Sequence, residues 1–359
     1  MVLRVWSVSP ARSGDLSAAL DWRFAAQIGS RLVRPGPAIS EYTRARAVGE
    51  LSRAAIRSQL PVHETTGLAA SDTATAVRVV DRAEWVRLAA SSMGLMVERY
   101  PVSQGAVGRH LAGAQLGAVL AFVSTGILGQ YEPFGASGAG SLLLVYPNVI
   151  DIERNLPVRP ADFRMWVCLH EVTHQVQFTA NPWLSGYLLD TLGVLLASPD
   201  NAVDGLGRLL DVLSRSVRRA DPSRSDDAGA PGMLSVIRAL QAEPQRAALD
   251  QLMVLGTVLE GHAEHVMDAV GPAVVPSVAS IRAKFDQRRQ RRHSPLQRLI
   301  RTMLGVDAKL SQYTRGKAFV DDVVGRVGMD RFNVIWTGPQ TLPLPAEIEE
   351  PQRWIDRVL

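Results

Sequence analysis

Cysteine and lysine are nearly absent from this chain of 359 residues. Its single cysteine, Cys168, excludes an intramolecular disulfide and any metal site that needs several thiolates. Only three of the 39 basic residues are lysines, and together with abundant Ala, Val and Gly this arginine excess indicates a GC-rich genome rather than a function. Hydrophobic residues make up 47% of the chain and charged residues 21%, which excludes a disordered or fibrous protein. A metal ion would therefore have to be bound mainly by His, Asp and Glu.

Long apolar runs and targeting signals are lacking as well. The longest uncharged run, residues 111–130, contains four glycines and several polar residues, so it predicts a buried helix rather than a membrane span. The first ten residues have no apolar stretch of the kind that a secretory signal peptide needs. The sequence therefore predicts a cytoplasmic protein with no membrane span.

The apolar residues follow mostly helical spacing, with two short strand candidates. Strands are predicted over 75–80 and 141–146. A helix is predicted from the cap residue Ser40 to residue 60, because Pro61 follows. The other predicted helices cover residues 15–34, 81–99, 105–129, 160–178, 183–197, 201–219, 244–270, 277–290, 295–304 and 306–326.

Four of the seven histidines fall in two clusters, and the first cluster lies within the helix predicted over 160–178. Its sequence, His170-Glu171-Val-Thr-His174, is an HExxH motif. The two histidines are one turn apart and project from one helix face, so their ring nitrogens can bind one zinc ion. Glu171 lies about 100° around the helix, where its carboxylate can reach a water molecule on the metal and act as a general base.

The second cluster, residues 259–268, offers candidates for a further ligand, because a catalytic zinc ion usually has three protein ligands. Glu260 and Glu264 share one helix face, whereas His262 and His265 share another, so the two pairs cannot bind the same ion. We favour Glu260 as the third ligand. We expect Glu264 to hydrogen-bond to a ligand histidine and fix its tautomer. The alternative that His262 or His265 replaces Glu260 stays open.

An HExxH motif followed by Glu-Gly-x-Ala-Glu on a later helix resembles the gluzincin metallopeptidases. This resemblance implies zinc ligands at His170, His174 and Glu260, with Glu171 as the base. The 85 residues between His174 and Glu260 exceed the separation in the aminopeptidases of that clan. The difference predicts a helical insertion at about 183–243.

Over nearly its full length the chain more closely resembles an actinobacterial family of zinc-dependent hydrolases of unknown function, one branch of which is associated with deazaflavin-cofactor biosynthesis. The resemblance implies an α+β, predominantly helical fold of the zincin type, with a small sheet next to the HExxH helix. We expect an N-terminal, mostly helical region over 1–104 and a zincin-like catalytic region over 105–359. The stretches that carry this resemblance are DWRFAAQIGSRLVRPGP, LGQYEPFG, HEVTHQVQF, LEGHAEHVMD and KLSQYTRGKAF.

Two further side chains are candidates for catalysis. Tyr313 shares a predicted helix face with Lys309 and Gly316 and could donate a hydrogen bond to a developing oxyanion; the alternative is a solvent-exposed tyrosine. His262 could stabilise the transition state from beside the metal, or it could serve only in packing. The basic stretch 288–293 is interpreted as a solvated helix face, because no nucleic-acid-binding motif accompanies it.

Together these features predict a hydrolase, more specifically a peptidase, that uses one zinc ion and acts on a peptide or another amide. The predicted strand 141–146 would be the sheet edge on which an extended peptide lies. The alternative is a catalytically silent protein in which zinc stabilises a binding scaffold for a biosynthetic partner. No nucleic acid is expected as a partner, and the sequence makes no prediction about oligomeric state.

Overall fold

The computed structural model describes residues 20–69, 75–97, 106–134, 140–196, 243–291 and 311–359. Within these residues the protein is predominantly helical with one small sheet, as predicted. The strands are β1 (Ala76–Val80), β2 (Gly129–Glu132) and β3 (Ser141–Val145). The helices are α1 (Trp22–Leu32), α2 (Glu41–Thr66), α3 (Arg82–Val97), α4 (Ala106–Val123), α5 (Tyr146–Asn155), α6 (Pro160–Ala180), α7 (Trp183–Leu196), α8 (Glu243–Ala269), α9 (Gly271–Val274), α10 (Val278–Arg291), α11 (Ser311–Val327), α12 (Met329–Phe332), α13 (Pro345–Glu349) and α14 (Pro351–Val358).

The sheet has β3 in its centre, between β1 and β2. β3 pairs in parallel with β1 and antiparallel with β2, and Gly129 of β2 lies opposite Leu144. Residues 142–145 of β3 are buried, as expected for a strand that is covered on both faces. The prediction that this strand forms the edge of the sheet is therefore wrong. The antiparallel edge is β2, a four-residue strand that was not predicted from the sequence.

Helix α2 is longer than predicted, because it continues through Pro61 to Thr66. Its start is as expected, since Ser40 Oγ accepts a hydrogen bond of 3.1 Å from a backbone N–H of the first turn. Proline removes one backbone hydrogen bond from a helix, but Val62 and Thr66 beyond it have no exposed surface. Their burial keeps the chain helical up to Gly67, whose φ of 64° is the left-handed conformation typical of a helix end.

Helix α6 is the centre of the molecule, packed against α2 on one side and α8 on the other. It begins at Pro160, where proline is favoured because the first helical N–H needs no partner. Its side chains are buried along most of its length, including Phe163, Trp166 and Val167. The prediction that the HExxH motif lies on a packed rather than a solvated helix is confirmed.

Within the described residues, three clusters of buried apolar side chains hold the helices together. The first surrounds α6, the second joins α1, α3 and α4 to the sheet, and the third lies between α8, α11 and the C-terminal segment 329–359. Cys168 belongs to the first cluster, and its Sγ lies 3.7 Å from the carbonyl oxygen of Leu51. Burial raises the pKa of this thiol, so Cys168 is an inert core residue.

Helix α4 occupies the second cluster and is shorter than the helix predicted over 105–129. Among the described residues, no helix has both the length and the apolar character needed to cross a membrane. The cytoplasmic location and the boundary at residue 104 stay predictions, and the sheet takes strands from both sides of that boundary. The predicted helices over 201–219 and 295–304 lie outside the described residues, as does most of the predicted insertion beyond α7.

Candidate metal centre

Helices α6 and α8 cross so that His170, His174 and Glu260 face one another. The Nε2 atoms of the two histidines are 3.2 Å apart. Glu260 directs one carboxylate oxygen to each ring, at 3.4 Å from His170 Nε2 and 3.6 Å from His174 Nε2. The structure thus brings these three predicted residues together, and it places neither His262 nor His265 in the group.

The three side chains fit a zinc ion. A tetrahedral ion with bonds of roughly 2.0–2.1 Å keeps neighbouring ligand atoms about 3.3 Å apart. The two Nε2 atoms are 3.2 Å apart, and they lie 3.4 and 3.6 Å from two different oxygens of Glu260, so an ion could bind both rings and one of these oxygens, all within 4.8 Å of one another. Two imidazoles and one carboxylate also form a known catalytic zinc ligand set. The side chains are between 14% and 32% exposed, so solvent can reach the centre of the group.

The second nitrogen of each histidine ring contacts an acceptor. His174 Nδ1 donates to the side-chain oxygen of Gln177 at 2.9 Å, and His170 Nδ1 lies 3.1 Å from the sulfur of Met267. With the Nδ1 protons directed at these acceptors, the Nε2 atoms of both rings are on the side of Glu260, where their lone pairs would be available to a metal ion that displaces a proton there. A thioether is a weak acceptor, so hydrogen bonding holds His170 less firmly than His174.

Gln177 connects His174 to the helix that carries Glu260. Its amide nitrogen donates to the carbonyl oxygen of Leu259 at 2.9 Å and to Nδ1 of His262 at 3.0 Å. The side chain has no exposed surface. One residue therefore fixes both the tautomer of His174 and the position of the backbone next to Glu260.

His262 does not line the metal site, so the prediction that it acts beside the metal is wrong. Its ring is fully buried against Phe332 and Trp336, with ring-centroid distances of 5.5 and 5.3 Å. Burial lowers the pKa of this imidazole to about 3, so the ring is neutral at pH 7. Its Nδ1 accepts a hydrogen bond from the Gln177 amide, which places the ring proton on Nε2. Since a ring with no exposed surface cannot contact a substrate, His262 is a packing residue that supports Gln177.

Glu264 is also placed differently from the prediction that it hydrogen-bonds to a ligand histidine. Its carboxylate pairs with Arg282 at 3.4 Å, and that guanidinium lies 5.3 Å from the centre of the Trp166 ring. The Nδ1 atoms of the two metal-site histidines contact Gln177 and a methionine instead. His265 pairs with Asp321 at 2.7 Å and takes no part in the group.

Glu171 lies between α6 and the start of β2, and only 6% of its surface is exposed. A Cβ atom at Gly129 would lie 2.5 Å from Cγ of Glu171 and 2.9 Å from Oε1, so only a glycine at this position leaves room for the carboxylate. Desolvation raises the pKa of the Glu171 carboxyl, and the nearby His170 and His174 oppose that rise. The structure thus holds a second carboxylate close to the group without making it part of the group.

Glu260 and His174 favour opposite charges. Burial would raise the pKa of Glu260, but hydrogen bonds from His170 and His174 outweigh it and hold the pKa well below its ordinary value. Burial likewise opposes a charged His174, yet the hydrogen bond and the charge of Glu260 raise its pKa to about 9. His174 and Glu260 therefore form an ion pair, in which a metal ion that binds the group would take the place of the proton on His174 Nε2.

Gly261, directly after Glu260, lets α8 and α11 touch backbone to backbone. A Cβ atom at Gly261 would overlap the backbone of Gly316, and one at Gly316 would overlap the carbonyl oxygen of Thr257. Helix α11 therefore sets the position of α8 beside the carboxylate. This close approach gives a physical reason for the Glu-Gly pair noted in the sequence.

The chain matches one protein family over most of its length. The family model of the zincin-like metallopeptidases matches residues 20–355. The chain belongs to the zincin-like metallopeptidase family. Among solved structures, this zincin-like protein is similar to a chain from Chloroflexus aurantiacus described as a candidate hydrolase with a novel fold, at 28% sequence identity and a TM-score of 0.63. The similarity covers 94% of this chain and 98% of that one. The comparison with curated proteins gives no match.

Two sequence predictions for this zincin-like chain concern side chains that the structure does not describe. Tyr313 lies in the first turn of α11, but its side chain is outside the described part, so its role as an oxyanion donor stays a prediction. The basic stretch 288–293 begins in the last turns of α10, where the side chains are likewise outside the described part. Its interpretation as a solvated face stays a prediction.

Three residues of the zincin-like site were not predicted from the sequence, namely Gly129, Gln177 and Met267. Gln177 follows His174 by three positions and Met267 follows Glu260 by seven, so each lies on the same helix face as its partner. Helical spacing applied to polar and thioether side chains could therefore have identified both. The signal at Gly129 is weaker. A glycine in a strand indicates that another group approaches the backbone closely, but it does not identify that group.

Proposed function

We propose that this protein is a zinc-dependent hydrolase, specifically a peptidase, that cleaves an amide bond with water as the nucleophile. One observation carries the proposal: two imidazoles and a carboxylate converge within 4.8 Å of one another, and the separate buried carboxylate of Glu171 lies next to them. Membership of the zincin-like metallopeptidase family supports the same chemistry.

His170, His174 and Glu260 would hold the ion. Bound zinc supplies a Lewis acid that polarises a substrate carbonyl and makes a water molecule more acidic. Neutral imidazoles contribute no charge, so one carboxylate leaves the centre with a net positive charge. Gln177 keeps a proton on His174 Nδ1 and thereby keeps the Nε2 lone pair free for the ion.

Glu171 is assigned the proton transfers. One of its carboxylate oxygens accepts a proton from the attacking water molecule and then passes it to the leaving amine nitrogen. The side chain packs against Gly129, which leaves room for it because glycine has no Cβ atom. The carboxylate therefore lies between α6 and β2. This positioning is what a general base needs before a substrate arrives.

Strand β2 is proposed as the surface along which an extended peptide binds. It pairs with β3 along one edge, and within the described residues no strand pairs with its other edge. A peptide can add there through main-chain hydrogen bonds. Because β2 begins at the glycine that contacts Glu171, a peptide on this edge would pass beside the proposed base.

The test is Glu171→Gln, which preserves the shape of the side chain and removes the base. We expect zinc binding within about threefold of the wild-type protein, and hydrolysis of a quenched fluorescent peptide library lower by at least about a hundredfold. Glu64→Gln is the matched control, because Glu64 is an exposed carboxylate on α2 and its loss changes the charge equally. Undiminished hydrolysis by Glu171→Gln would contradict the assigned role.

The silent scaffold is the competing function. It predicts that His170→Ala unfolds the protein and that Glu171→Gln changes nothing measurable. The hydrolase predicts a folded, zinc-binding and inactive Glu171→Gln variant. Thermal unfolding and zinc analysis establish that Glu171→Gln is folded and binds zinc, and its hydrolysis of the peptide library then separates the two functions.

A further inference from the structure

A cavity of about 570 Å³ lies at the start of α6, far from the metal-site group. It is bounded by one face of α2 and by the first turn of α6. His170 follows Pro160 by ten positions, which corresponds to about 15 Å along the helix. The cavity is therefore separate from the site described above, and its volume is that of a small-molecule pocket, roughly 300–1,000 Å³.

Arginine dominates the lining of this cavity. Five arginines contribute to it, together with a single carboxylate, Glu50. Those from α2 follow one helix face, because they are separated by seven and four positions. The five positive charges are at Arg46, Arg53, Arg57, Arg159 and Arg164.

Two of the five arginines are held by carboxylates. Arg164 pairs with Glu50 and with Glu153, and Arg46 pairs with Glu50 at 2.7 Å. Arg53, Arg57 and Arg159 are exposed, and their guanidinium groups have no ion pair or hydrogen bond with another described residue. The cavity therefore contains two paired arginines, of which only Arg164 is buried, and three arginines whose charges are unpaired among the described residues.

The first turn of α6 adds a further attraction for anions. Helix α6 is 21 residues long, and no side chain caps its N-terminal end. Pro160 and Ala161 at this end line the cavity. Pro160 has no N–H, and the N–H groups of Asp162 and Phe163 donate to the carbonyl oxygen of Arg159, so Ala161 supplies the first-turn N–H that remains at this end. The positive end of the helix dipole lies at the same cavity.

We propose that this cavity binds a small anion that carries two or more phosphate groups. Two of its five arginines are paired with carboxylates, and the charges of the other three are unpaired among the described residues, so a small ligand that neutralises them inside this volume needs a high charge density. Each phosphate group supplies about 1.5–2 negative charges and three acceptor oxygens. The planar fork of arginine binds phosphate oxygens in pairs. The site is independent of the proposed hydrolysis.

Isothermal titration calorimetry of the full-length, zinc-loaded protein with fructose 1,6-bisphosphate tests this assignment at one fixed ionic strength. We expect saturable binding with one site per chain. The double variant Arg53→Gln/Arg57→Gln removes two of the free cations and should weaken binding by at least about tenfold. Both side chains are exposed and have no partner among the described residues, so thermal unfolding should show an intact fold.

The matched control is Arg23→Gln/Arg31→Gln, which removes two exposed charges from α1 and should change binding by less than about twofold. Acetylated tetraglutamate is the carboxylate probe, and we expect it to bind at least about tenfold more weakly than the bisphosphate. Absent binding, equal losses in both double variants, or undiminished binding by Arg53→Gln/Arg57→Gln would overturn the proposal. Tighter binding of tetraglutamate would overturn the assignment to phosphate.

Discussion

Among the described helices, two crossings depend on facing glycines, and one of these two lies beside the metal-site group. At the crossing of α1 and α4, a Cβ atom at Gly29 would lie 2.7 Å from the carbonyl oxygen of Gly117. At the crossing of α8 and α11, a Cβ atom at Gly261 would overlap the backbone of Gly316. The two crossings therefore use the same means of bringing helices together.

The surroundings of the two crossings differ. The α1–α4 crossing lies within a cluster of apolar side chains that covers the sheet. The α8–α11 crossing lies next to Glu260 and one residue from the fully buried His262. Close packing of two helices therefore does not by itself indicate a functional site. The α1–α4 crossing determines only the fold, whereas the α8–α11 crossing also determines the position of a proposed ligand.

Chelation of zinc should have the largest effect, and we expect it to change the α8–α11 crossing but not the α1–α4 crossing. Zinc at a thousand times its dissociation constant adds about 4 kcal/mol to the free energy of unfolding, and its removal should withdraw that amount. In hydrogen–deuterium exchange, we expect amides of α6 and α8 near the ligands to exchange faster after chelation, while those of α1 and α4 keep their rates. Faster exchange in all four helices would mean that the crossings are not independent.

Gly261→Ala should have the next largest effect. Its Cβ atom would push α8 away from α11, and we expect the free energy of unfolding to fall by about 1–3 kcal/mol and the zinc affinity to fall by at least about tenfold. Gly117→Ala is the matched substitution, because its Cβ atom would lie 2.6 Å from the carbonyl oxygen of Ala25. It should lower stability by a similar amount and leave zinc affinity unchanged. Urea unfolding and competition with a zinc indicator provide both values.

Gln177→Leu tests whether the buried amide connects the two sides of the site. The substitution leaves the Leu259 carbonyl and His262 Nδ1 without their partner, and zinc affinity should fall by about 10–100-fold. Gln175→Leu, on the same helix, removes a hydrogen bond with Gln59 instead and should leave zinc affinity unchanged. A similar loss in both variants would show that the effect comes from the helix and not from this hydrogen-bond network.

Met267→Leu should have the smallest effect. The thioether contacts His170 Nδ1 at 3.1 Å, but sulfur is a weak acceptor and leucine has nearly the same volume. We expect zinc affinity to change by less than about threefold in the same competition assay. A loss as large as that of Gln177→Leu would mean that the thioether orients its histidine as strongly as an amide does.

Much of the fold could be predicted because apolar spacing and capping residues indicate helices in the sequence. Ser40 caps α2 as expected, and the start of α6 at Pro160 agrees with the predicted one. The end of α2 could not be predicted, because burial of residues beyond Pro61 outweighs the local cost of proline. Strand β2 was missed because four residues are too few to show a period.

The candidate site likewise has features that could be predicted from the sequence and features that could not. The grouping of His170, His174 and Glu260 was predicted, because helical spacing pairs the two histidines and the resemblance to the gluzincins implies Glu260, whereas the contacts of Glu264 were not predicted. Helical spacing placed Glu264 on the same face as Glu260, but it could not reveal that Arg282 from α10 pairs with it. Partners that come from distant elements depend on how helices pack, which spacing within one helix does not contain.

The buried thiol has a practical consequence for measuring these effects. Because Cys168 is fully enclosed and its pKa is raised, maleimide reagents, which attack exposed thiolates, should leave the native chain unlabelled. Two fluorophores or spin labels could then be attached at chosen surface positions, for example in the double variant Arg23→Cys/Arg353→Cys, with no natural cysteine to remove first. Distances across the molecule, with and without zinc, could be recorded by spectroscopy on an otherwise unaltered protein.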